Sequence, residues 1–249
     1  MTDEAPRTEV TIAGGLSDEK KAELRGKLLR EDGTLKPIVV TRLTESHQID
    51  VMRMFIRGVY GFWYKSLPVG DPEVSFAAFV VGEEIQMIIG TLGWNTLEKT
   101  HSHLIYVVEP EMVPGMGGLK RGVEFTRFGA LNSMPLSMNF LGTSIPKGAA
   151  SIPLLLAAVE AALVYGFTHG FHVTIPKIAE RMIGLGIDFR HIPEAKVNQA
   201  LVRELAAQDP YYATEPLPGL YVTSLVQERD ALLSHVKQMI AEKKLKEYL

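Results

Sequence analysis

Val123-Glu124-Phe125-Thr126-Arg127-Phe128-Gly129-Ala130-Leu131 is the stretch whose reading decides the rest. Aromatic and β-branched residues dominate it, so it reads as a strand. One carboxylate, Glu124, and one guanidinium, Arg127, interrupt its apolar character. A central strand excludes such charges unless they are paired or used. Side chains alternate along a strand, so two residues three apart point to opposite faces. A β-bulge between them would restore a shared face, and bulges often sit beside functional sites.

The composition around this strand is that of an ordinary globular protein. The 249 residues suit one large domain, or a domain with added elements. Hydrophobic residues make up 46% and charged residues 22%, which is ordinary for a soluble globular protein. A net charge of −3 gives the chain no nucleic-acid footprint. Cysteine is absent, which excludes disulfides, thiolate metal sites and a cysteine nucleophile and suits a reducing cytoplasm. Residues 1–15 are acidic and threonine-rich without an apolar centre, unlike a secretory signal. The longest apolar run, Ile152 to Phe167, is short for a bilayer and contains Glu160. It reads as a core helix, and no membrane span is expected.

Outward from the focal strand, the chain divides into a mobile segment with a surface helix (1–35), a main domain (36–226) and an amphipathic C-terminal helix (227–249). Ser17 caps the first helix, whose apolar content is limited to Leu24, Leu28 and Leu29. A strand over Pro37–Leu43 precedes a helix over Glu45–Tyr60, with Ile49, Met52, Phe55, Ile56 and Val59 at helical spacing. Strands follow over Val74–Val81, Glu84–Trp94 and Ser102–Val108, then a loop to Gly122. Beyond the focal strand lies a loop to Ala150, then a helix capped by Ser151 that runs to His169 and ends at Gly170. Strands at Phe171–Ile175, Ile187–Ile192 and Leu220–Val226 alternate with helices at Lys177–Leu185 and Glu194–Ala207. The terminal helix, Gln227–Leu245, lines up Leu232, Leu233, Val236, Met239 and Ile240. An antiparallel meander followed by strand-helix-strand units predicts an α+β (mixed α/β) fold, a central mixed twisted sheet flanked by helices.

Several residues of this pattern carry chemistry. Glu124 in an apolar strand is a candidate general base, because burial raises a carboxylate towards useful base strength. Arg127 is suited to pair with it or with a substrate carboxylate through a bidentate fork. Met54, Phe55, Phe62 and Trp63 could line an apolar pocket, and Arg53, Arg57 and Trp63 could meet a polar substrate. The histidines assemble no metal site: His101 and His103 share a strand face without a third ligand, and His169 and His172 flank a turn. No Gly-x-Ser-x-Gly elbow is present.

The element order resembles the GNAT acyltransferase fold. Within it, Val123-Glu124-Phe125-Thr126-Arg127-Phe128 is similar to the Trp-Glu-x-x-Arg-Phe strand of acyl-homoserine lactone synthases and long-chain N-acyl amino acid synthases. Arg57-Gly58-Val59-Tyr60-Gly61-Phe62-Trp63 is similar to the family's early Arg-x-x-Val-Phe…Trp segment with its aromatics displaced. The resemblance covers residues 40–195. Val123 stands where the family has Trp; Asp71 and Glu73 do not keep the spacing of the lactone synthases' aspartate pair; Gly90-Thr91-Leu92-Gly93-Trp94 lacks their arginine.

The resemblance implies an enzyme that moves a fatty acyl group from a thioester to the amine of an amino acid or its derivative, with Glu124 and Arg127 in the catalytic strand. The departures favour N-acyl amino acid synthesis over homoserine lactone (autoinducer) synthesis. The co-substrate would be the phosphopantetheine thioester of an acyl carrier protein, or acyl-CoA, with no permanently bound cofactor. GNAT folds splay two parallel strands at this point, so backbone N–H groups at Phe128, Gly129 and Ala130 would meet the oxyanion. The family's pyrophosphate turn is reduced here to Lys147-Gly148-Ala149. That weakens CoA and strengthens a carrier protein, whose acidic face Lys120, Arg121 and Lys147 could meet. An acetyl-CoA-dependent N-acetyltransferase and a non-catalytic acyl-binding module are the alternative readings.

Overall fold

The computed structural model describes residues 17–32, 36–63, 71–82, 86–100, 105–130, 148–208 and 216–241. The expected mobility of residues 1–16 lies outside them, as do Lys147, His101 and His103.

Helix α1 (Asp18–Leu28) leads to strand β1 (Ile38–Leu43) and helix α2 (Ser46–Trp63). The meander β2 (Val74–Val81) and β3 (Gln86–Thr96) follows, then a short α3 (Leu97–Thr100) and β4 (Tyr106–Val107). Two single 3-10 turns precede β5 (Gly122–Ala130). After it come α4 (Ser151–Val164), β6 (His169–Thr174), α5 (Pro176–Gly184), β7 (Arg190–His191) and β8 (Lys196–Val197). The chain closes with α6 (Gln199–Gln208), β9 (Gly219–Ser224) and α7 (Leu225–Ala241).

Seven strands form one sheet in the order β1-β2-β3-β5-β6-β9-β7, and β4 pairs with β8 apart from it. Every pairing is antiparallel except β5 with β6. The mixed sheet with flanking helices expected from the sequence is therefore the fold. One face carries Phe76, Ala78, Ile89, Leu92, Trp94 and Phe125, packed against α4 and α7 in the main core. The other face is covered in two places. Met52, Phe55 and Ile56 of α2 pack on Ala77, Phe79 and Ile88, while Val108, Val113 and Met116 pack on Phe171, Leu220 and Val222.

Several local readings change. The helix after Ser151 ends at Val164 instead of His169, because Gly166 takes the left-handed conformation (φ 84°) and its N–H closes the turn onto Leu163 O at 2.9 Å. His169 and Gly170 thus belong to β6, whereas the sequence placed His169 and His172 on either side of a turn. Ser151 is the first helical residue, not its cap; Ala150 holds the cap position with no side-chain bond. Residues 194–197 are not helical: Ala195 is buried against the sheet, and Lys196–Val197 pair with Tyr106–Val107. The first helix is anchored as well, since Leu24 and Leu28 join the main core. The terminal helix packs along α4, with Leu232, Val236 and Met239 buried in that same core.

Candidate active site

β5 is flanked by β3 on one side and β6 on the other, and the two partnerships differ. With β6 it shares three registered pairs: Gly122↔His169, Val123↔Gly170 and Glu124↔Phe171. Beyond them β5 continues to Ala130 beside β3, and β6 continues to Thr174 beside β9. The parallel strands therefore part immediately after Glu124. The split thus begins earlier than the Phe128–Ala130 end of the strand where the resemblance implied it, and it leaves Glu124 on the last joined pair.

A bulge lies just beyond. Gly93 pairs with Thr126 and Thr91 with Gly129, so β5 carries one residue more than β3 between these pairs, at Arg127–Phe128. Phe125 and Phe128 are three apart and would point to opposite faces of a regular strand. Both pack on the main core instead. The bulge falls one step later than expected, and what it demonstrably aligns is the two phenylalanines. The Arg127 side chain lies outside the described residues.

Glu124 is half-buried on the face opposite Phe125. Its registered neighbours are Asn95 on β3 and Phe171 on β6. Asn95 Oδ1 accepts the Glu73 N–H at 2.8 Å, and the Glu73 carboxylate accepts the Thr96 N–H at 3.0 Å. Residues 72 and 73 thus lie against β3, whose Asn95 is the registered neighbour of Glu124. Gly93 makes this possible: a Cβ there would collide with the Pro72 ring. Sequence reasoning missed Asn95, Pro72 and Gly93. The signal was a Gly-x-Asn on one face of a strand, which becomes meaningful only once the register is known.

The remaining expected site residues lie on β5, on α2, in the turn at residue 148 and just before β5. Phe128 is half-buried and Gly129 and Ala130 are buried beyond the bulge. Arg53 is exposed and bound by Asp50 (2.7 Å) and by both oxygens of Asp71, one of them at 2.9 Å. The hydrogen bonds it donates to Asp71 and then to Asp50 hold its pKa above the ordinary guanidinium value. Its place is a tie between α2 and the segment at residue 71. Arg57 is exposed one turn further along α2. Phe62 and Trp63 close α2, with side chains outside the described residues. Phe55 is core, and Met54 faces outward at 55% exposure. Gly148 (φ 88°), Ala149 and Ala150 are buried, and a Cβ on Gly148 would lie 2.8 Å from Ile152 and 3.7 Å from the Met239 sulfur of α7. Lys120 and Arg121 are exposed, with Lys120 Nζ 3.6 Å from Glu98.

Among the described residues no cluster of three or more His, Asp and Glu is placed to hold a metal. None of their helices is long and apolar enough to cross a membrane.

No family model matches the chain, and no curated protein matches it. Among solved structures it is similar to FeeM, an N-acyl amino acid synthase from uncultured soil microbes, at 18% identity and a TM-score of 0.47, over 80% of this chain and 97% of that one. It is similar to BjaI, a CoA-dependent acyl-homoserine lactone synthase bound to MTA, at 10% identity and a TM-score of 0.49, over 80% and 90% of the two chains. It is similar also to TofI in an apo form, at 14% identity and a TM-score of 0.48, over 78% and 95%. At these values the likenesses assign this chain neither activity nor substrate, and function has to be argued from the site.

Proposed function

We propose that this protein is a GNAT-type N-acyltransferase that moves a fatty acyl group from a carrier thioester to the amine of an amino acid or amino-acid derivative. One observation carries the reading: a half-buried carboxylate, Glu124, stands on the last pair of two parallel strands that then separate. A split between strands opens a slot for an extended thioester arm, and a carboxylate at its apex meets whatever attacks the carbonyl.

In this mechanism Glu124 accepts a proton from the substrate ammonium. The freed amine attacks the thioester carbonyl carbon, forming the C–N bond. Backbone N–H groups from Phe128 to Ala130 stabilise the oxyanion. Collapse breaks the C–S bond, and the departing thiolate takes up the proton that the attacking nitrogen gives up. Asn95, registered beside Glu124, orients the amine, and Arg127 and Arg57 are assigned to a substrate carboxylate. Burial of Gly148–Ala150 near α7 supports an acyl carrier protein over a CoA pyrophosphate cradled in that turn, with exposed Lys120 and Arg121 facing the carrier. We place the reaction in the cytoplasm, consistent with a chain lacking cysteine.

The test is to incubate the purified chain with acyl carrier thioesters or acyl-CoA and a mixture of amino acids, and to analyse products by mass spectrometry. Acylated amino acid formed with the carrier donor is the expected result. Folded protein that yields no acylated amine from any pairing refutes the reading.

A further inference from the structure

Directly behind Glu124, the first residue on each diverging strand is aromatic. Phe125 on β5 and His172 on β6 stack with centroids 5.0 Å apart and planes 20° apart. The Phe125 ring lies close over Gly170, where a Cβ would approach its Cε2 to 2.7 Å. On its other side His172 meets Phe189 at 4.7 Å, and Phe189 stacks on Tyr221 at 5.0 Å.

The polar atoms behind this stack need an explanation. Glu228, in the first turn of α7, is 0% exposed. Its Oε2 accepts the Thr223 hydroxyl at 2.6 Å, and its Oε1 has no partner. His172 Nε2 is also buried without a hydrogen-bond partner and lies 3.9 Å from Glu228 Oε2. A carboxylate taken fully out of water is costly unless a proton or a cation accompanies it. Of the basic side chains described, His172 is the one recorded within ion-pair reach of it. The other groups facing His172 are Phe125 from β5, Phe189 from the segment before β7 and Tyr221 registered on β9, with Glu180 of α5 acting on Tyr221.

We propose that His172 and Glu228 are positioning residues: a buried pair, 3.9 Å apart, that fixes the Phe125 ring across the start of the split between β5 and β6. Thr223 aims Glu228, Glu228 holds the His172 ring, and His172 sets Phe125, the residue next to Glu124. α7 is thereby linked to the geometry of the carboxylate on the opposite face of β5. Its use in acyl transfer rests on the function proposed above; the clamp itself does not.

Glu228→Gln keeps an acceptor for Thr223, and His172→Phe keeps the stack, so both variants test the pairing of the two polar groups without emptying the core. Hydrogen–deuterium exchange in the full chain would be followed over residues 122–130. Loss of the clamp should speed exchange of Thr126–Ala130 about tenfold in both variants while strands β1–β3 stay protected. In acyl transfer both should lower kcat and leave KM for the amine unchanged. His172→Ala should exceed both in exchange. Unchanged exchange over 125–130 in Glu228→Gln and His172→Phe overturns the proposal. Faster exchange in a protein whose wild type acylates nothing supports the clamp and refutes the proposed function, so the two failures are distinguishable.

Discussion

Replacing Gly170 with Ala asks whether Phe125 is held where the strands part. The added Cβ would stand 2.7 Å from Phe125 Cε2, 3.0 Å from Thr223 Oγ1 and 3.1 Å from Leu225 Cδ2. These neighbours come from β5, β9 and α7, so retreat from one drives the methyl towards another. Carbon–carbon contact is comfortable from about 3.5 Å, so the ring has to give way by roughly 0.8 Å. Overpacking of this kind costs about 1–3 kcal/mol. Removing glycine's backbone freedom offsets about 0.5–1 kcal/mol. The net expectation is a loss of about 0–2.5 kcal/mol, centred near 1 kcal/mol, or roughly 2–4 °C in Tm at that centre for a chain of this size. Thermal and urea unfolding of Gly170→Ala, Phe125→Leu and the double variant would measure it. Because the smaller leucine makes room, the pair should couple by about 0.5–1.5 kcal/mol. A Gly170→Ala protein more stable than wild type, or strict additivity with Phe125→Leu, would refute the packing account of the split.

Gly93→Ala should be worse tolerated, by more than about 2 kcal/mol in urea unfolding, because its Cβ would meet the Pro72 ring and the Val74 carbonyl oxygen at 2.9 Å, neither of which can swing away. Leu28→Ala should cost about 2–5 kcal/mol, since Leu28 is 0% exposed; a negligible loss would mean α1 is not docked. Burial, and then Arg190, lower the pKa of His169. Its folded state therefore favours the neutral ring, and the penalty for charging it appears as pH falls below the ordinary histidine value of about 6.5. His169→Asn should flatten the decline in stability on the acid side of that value and leave stability above it unchanged in pH-dependent urea unfolding.

Much of the fold was legible because hydrophobic periodicity reports local burial. Val74–Val81 matched its strand to the residue, and the alternating elements identified a mixed sheet with helical covers. The misreadings occurred where tertiary partners decide. Gly166 and Gly170 are equally plausible helix stops in sequence; one takes a positive φ, and the other makes room for a phenylalanine from another strand. Residues 194–197 have helical composition but are held by pairing with Tyr106–Val107, some ninety positions earlier. At the site, the misplaced charge of Glu124 could be read directly. Asn95 and Pro72 could not, because their proximity depends on register across β3 and β5. His172 and Glu228 are 56 positions apart, and nothing local marks either as half of a buried pair.

The central claim is that Glu124, at the apex of the split, serves acyl transfer as a base. The direct test is the kcat of Glu124→Gln with a carrier thioester and the preferred amine, beside a melting curve. A neutral isostere keeps the shape and removes the proton acceptor. The account predicts a fall of about 10²–10⁴ in kcat with folding retained. Turnover equal to that of wild type would contradict it.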